Sequence, residues 1–67
     1  MTPDPIIAVR DRAYDLAATG KFNHWRDIVP VLQSEGAYAL LVSRLDAHPY
    51  FQMTLRFRIK KGKRRLL

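Results

Sequence analysis

Between residues 6 and 47 the apolar positions recur every three or four residues, and between 52 and 60 they recur every second residue. The first pattern predicts three short helices. Residues 4–19 form the first, with Ile6, Val9, Ala13, Leu16 and Ala17 on one stripe and Arg10, Asp11, Arg12 and Asp15 mostly on the other side. Asp4 is placed to cap it and Pro5 to fill its first turn, where a missing N–H costs nothing. Gly20 stops it. The second helix covers 23–35, capped by Asn23, with Trp25, Ile28, Val29 and Leu32 inward and Gly36 after its end. Pro30 implies a bend, or a regular helix that starts near Asp27 and keeps Pro30 in its first turn. The third helix covers 37–47, with Tyr38, Leu41, Val42 and Leu45 on its apolar face, and His48-Pro49 ends it.

Gly20, Trp25, Ile28, Leu32 and Gly36 stand in the frame G-x4-W-x2-I-x3-L-x3-G. Over residues 6–47 this resembles the central part of small bacterial proteins, some of which look like helix-turn-helix domains. The resemblance implies a compact three-helix bundle and carries no functional residue over to this chain.

The second pattern covers residues 52–60. Met53, Leu55, Phe57 and Ile59 alternate with Gln52, Thr54, Arg56, Arg58 and Lys60, which predicts a half-buried strand. Wound as a helix, these four apolar residues spread over roughly two-thirds of the circumference. The alternative is a fourth helix opening at Pro49, which the bacterial resemblance favours. A strand needs a partner. Gly62 can turn the chain into a short return strand, or the same strand of a second copy can pair with it. The expected fold class is thus mainly α with a C-terminal β element: three helices, then a basic strand or hairpin over about 51–60 and 64–67. That order is similar to a reduced winged-helix domain. In that family the third helix lies in the DNA major groove and the wing contacts the neighbouring backbone.

Charge sharpens this division. Residues 1–50 carry five basic groups against six acids, while residues 51–67 carry seven basic groups and no acid. At 67 residues without cysteine, the chain has room for one small domain with no disulfide staple. Residues 61–67 read as a basic, flexible end. With no leader-like N-terminus and no long apolar run, the expected location is the cytoplasm, as a soluble domain.

A concentrated cationic end points to a polyanion. In the strand, Arg56, Arg58 and Lys60 form a row about 7 Å apart, close to the spacing of phosphates along one nucleic-acid strand. Lys61, Lys63, Arg64 and Arg65 extend the row, and Arg44 on the third helix adds to it. The expected function is nucleic-acid binding through phosphates, DNA ahead of RNA, with little base readout. The alternative is a protein-interaction or assembly module, either a homodimer or an accessory subunit of a larger partner, that uses the strand edge. A membrane partner is not expected, because the alternation lacks the period of an interfacial helix. Nor is an enzyme or a cofactor expected. His24 and His48 flank helix ends without a ligand cluster, Ser34 and Ser43 lack nucleophile context, and the glycines form no phosphate loop. Trp25 reads as core, and Tyr14, Phe22 and Tyr50 as core or rim.

Overall fold

The computed structural model describes residues 5–66, with side chains through Arg64. It contains four helices: α1 (Pro5–Ala18), α2 (Trp25–Ser34), α3 (Ala39–Asp46) and α4 (Pro49–Leu66). No strand occurs among the described residues.

The first three helices follow the expected stripes. α1 opens at Pro5; the expected Asp4 cap lies outside the described residues. At its end the Thr19 hydroxyl donates to the Leu16 carbonyl at 2.6 Å, and Gly20 turns the chain at φ 76°. α2 is capped by the extended backbone of His24, not by Asn23, and no side chain completes that cap. It runs unbroken through Pro30, which lies beyond the first turn and cannot donate to the Arg26 carbonyl. Burial of Trp25, Ile28 and Leu32 along one stripe offsets that missing bond. Gly36, at φ 96°, then closes the helix with two reversed bonds, from Ala37 N–H to the Leu32 carbonyl and from Gly36 N–H to the Gln33 carbonyl. In α3 the inward residues are Val42 and Leu45, with Leu41 half-buried. Tyr38 does not join that face. It is the extended N-cap residue and is 72% exposed.

The C-terminal β element is not formed; residues 49–66 are one continuous helix. Pro49 occupies the first turn of α4, and His48 caps it by accepting the Phe51 N–H on Nδ1 at 3.2 Å. Phe51, Leu55 and Ile59 are buried at four-residue spacing, and Gly62 continues the same line. Met53 and Phe57, expected on the bundle beside Leu55 and Ile59, lie on the opposite side. The alternation is therefore two four-residue stripes interleaved on one helix, one buried and one exposed. Helix wins because its stripe reaches across three other helices, whereas a lone strand would leave its backbone groups unpaired.

The Phe51 ring is the centre of the core. It stacks on Tyr14 of α1 with centroids 5.4 Å apart and meets Trp25 of α2 edge-on at 5.2 Å. Polar clips fix the helix ends around it. The Trp25 indole N–H donates to Asp46 at 2.9 Å, and the Gln52 amide donates to the Leu45 carbonyl at 3.1 Å. Arg12 grips Glu35 with two bonds of 2.9 and 2.8 Å, tying α1 to the end of α2.

Gly62 was expected in a hairpin turn, but it lies inside α4 where that helix crosses the end of α1. A Cβ there would sit 2.7 Å from the Ala17 carbonyl oxygen, 2.8 Å from that of Ala18 and 2.9 Å from the Gly20 nitrogen. All three atoms are backbone, so relief requires the helices to separate. Gly62→Ala is therefore expected to destabilise the fold by about 1–3 kcal/mol in urea unfolding, although alanine is the better helix former by about 1 kcal/mol.

The Arg12 bond, more than its charge, holds the Glu35 carboxyl below the usual carboxylate range, and Arg12 is raised in return. A lowered folded-state value means the stabilisation is complete at neutral pH and is lost as pH falls through that value. Thermal melts of the protein and of Glu35→Gln should therefore differ at neutral pH, with the variant lower, and converge in acid. The effect should be modest because the pair faces solvent.

Candidate nucleic-acid interface

α4 carries every cationic residue expected in the site except Arg44, and residues 49–66 include no acid. Helical winding regroups those residues. Arg56, Lys60 and Arg64 are spaced by four, so they share one side with a rise of about 6 Å per step, and Lys61 lies beside them. All four are exposed, and none has a hydrogen-bond or ion-pair partner among the described residues. The expected row of Arg56, Arg58 and Lys60 does not exist. Arg58 is turned about 200° from Arg56. Its guanidinium lies over the Tyr14 ring, 4.4 Å from the centroid, on the flank that faces α1.

Two further expected residues are also set apart. The Lys63 ammonium donates to the Asn23 side-chain oxygen, one residue ahead of the α2 cap at His24. Arg44 is exposed in the last turn of α3, where a cation complements the helix dipole. The Arg65 side chain lies outside the described residues, although α4 continues past it. The strand reading missed the neighbours of the cations. Tyr50, Met53 and Phe57 are 68%, 64% and 65% exposed on the same outer side of α4. Their i, i+3, i+7 spacing was the available signal.

A groove of 740 Å³ separates the first turn of α2 from α4, with Trp25, Leu55 and Ile59 at its base. Arg26, Arg56 and Lys60 face it, but so do Asp27 and Asp46, so its charge is mixed. The outer side of α4 carries cations and exposed apolar residues but no carboxylate. The outer side is therefore the one part of the α4 surface on which several cations stand clear of carboxylates. His24 and His48 serve helix ends, and the described residues contain no group of three metal-ligating side chains. No described helix is long and apolar enough to cross a membrane.

No family model, curated protein or solved structure matches this chain. The helix-turn-helix and winged-helix resemblances thus gain no support, and the wing they would need is replaced by α4.

Arg58→Gln separates structural from binding roles among the cations. It removes the stack on Tyr14, so a loss of about 0.5–1 kcal/mol in unfolding free energy is expected. Nucleic-acid affinity measured by fluorescence anisotropy should change less than for Lys60→Gln.

Proposed function

We propose that the protein binds nucleic acid, duplex DNA in the first place, by laying the outer side of α4 against the phosphate backbone. The observation that carries this reading is the set of four unpaired, exposed cations on one side of an acid-free helix. Arg56 and Arg64 are about 12 Å apart along the axis, comparable to the roughly 12 Å width of a major groove. A convex helix bearing cations at that separation can reach phosphates on both edges. Base reading is not part of the proposal; contacts to phosphates position the helix and carry no sequence information.

Four phosphates neutralised on a duplex give a log–log salt slope of about −3.6. Titration of a fluorescent random-sequence duplex at several salt concentrations should return that slope. With Arg56, Lys60, Lys61 and Arg64 all changed to Gln, it should flatten to about −1 or less. Absence of binding at low salt, or a slope unchanged in the variant, overturns the reading.

A further inference from the structure

A phosphate backbone accounts for the cationic half of the outer side and leaves the other half unexplained. Tyr50, Met53 and Phe57 line up over the first two turns of α4, each about two-thirds exposed. A shallow depression of 490 Å³ runs beside Met53 and Phe57, from Pro49 to Lys60, with Arg56 on its wall. Apart from Arg56, which flanks the apolar residues, the two halves follow one another along the axis: Tyr50, Met53 and Phe57 toward the N-terminal end, Lys60, Lys61 and Arg64 toward the C-terminal end.

We propose that this side of α4 is a docking surface for an acidic amphipathic helix of a partner protein. The partner would set aliphatic or aromatic residues on Met53 and Phe57, and carboxylates opposite Lys60 and Arg64. Charge complementarity selects this occupant. A second copy would bring an acid-free helix of the same sign against α4, with like charges repelling across the contact. A bilayer surface asks for a different layout, with the apolar stripe running the length of the helix and cations flanking it. Here the cations continue the stripe, the arrangement a second helix can mirror. The proposal builds on the nucleic-acid reading in one respect: because the same cations are used, the acidic helix and the duplex exclude each other, making the partner a regulator of that binding.

Two synthetic 18-residue peptides test the proposal. One carries leucines at i, i+3 and i+7 in one half and glutamates on the same side of the other half; the second has the same composition scrambled. The patterned peptide should bind and shift the backbone amide resonances of residues 50–64, and the scrambled one should bind at least about tenfold more weakly. Met53→Ser with Phe57→Ser should weaken the patterned peptide about tenfold or more while leaving duplex affinity within about twofold. Both positions are exposed, so circular dichroism of the variant should be unchanged. Displacement of labelled duplex by the patterned peptide completes the expected result. Equal binding of the two peptides overturns the proposal. So does Phe57-dependent capture by phosphatidylglycerol vesicles without peptide binding, or self-association that the Ser pair abolishes. If the duplex never binds while the peptide does, the nucleic-acid reading fails and the docking surface stands.

Discussion

The fold depends on the seating of α4 against α1. Phe51 at one end stacks on Tyr14, and Gly62 at the other brings the two backbones to a distance that admits no side chain. Between them Leu55 and Ile59 fill the core over Ile28 and Leu32. The first three helices are only 14, 10 and 8 residues long, near or below the length at which an isolated helix is stable in water. They rely on the surface α4 offers them. The fourth helix is thus the spine of the domain rather than an appendage to a three-helix body.

This seating also decides the chemistry of the outer side. Once Phe51, Leu55, Ile59 and Gly62 are turned inward, helical geometry sends Met53, Phe57, Lys60 and Arg64 outward. It also assigns the basic residues two different tasks. Arg58 and Lys63, on the flanks, bind Tyr14 and Asn23 and hold the fold. Arg56, Lys60, Lys61 and Arg64 are left to face solvent. A cationic cluster that looks uniform along the chain is divided by a rotation of about 100° per residue.

Much of the fold was legible in the chain. Three apolar stripes, two glycine stops and Pro49 located the first three helices to within about two residues, and Trp25 was rightly read as core. The error at residues 51–66 has a definite physical origin. A helix with a single apolar stripe announces its period, but α4 carries two, 180° or so apart, and their interleaving mimics the period of a strand. Met53 and Phe57 caused the misreading because they are large, apolar and exposed, contrary to what a solvent-facing side ordinarily shows. The cations were recognised individually, but their grouping was wrong, since a strand and a helix sort the same residues onto different sides. The Arg58 stack gave no signal in sequence at all, because it depends on a contact between helices.

The close approach at Gly62 also has a consequence for synthesis. α1 leaves the ribosome well before the backbone it packs against, which lies some forty-five residues further on. Until residue 62 clears the exit tunnel, Ala13, Leu16 and Ala17 lack the backbone that covers them in the folded domain. During that interval α1, α2 and α3 are a loose apolar segment open to chaperones. Closure of the core thus waits on α4, the same helix that turns its cations outward.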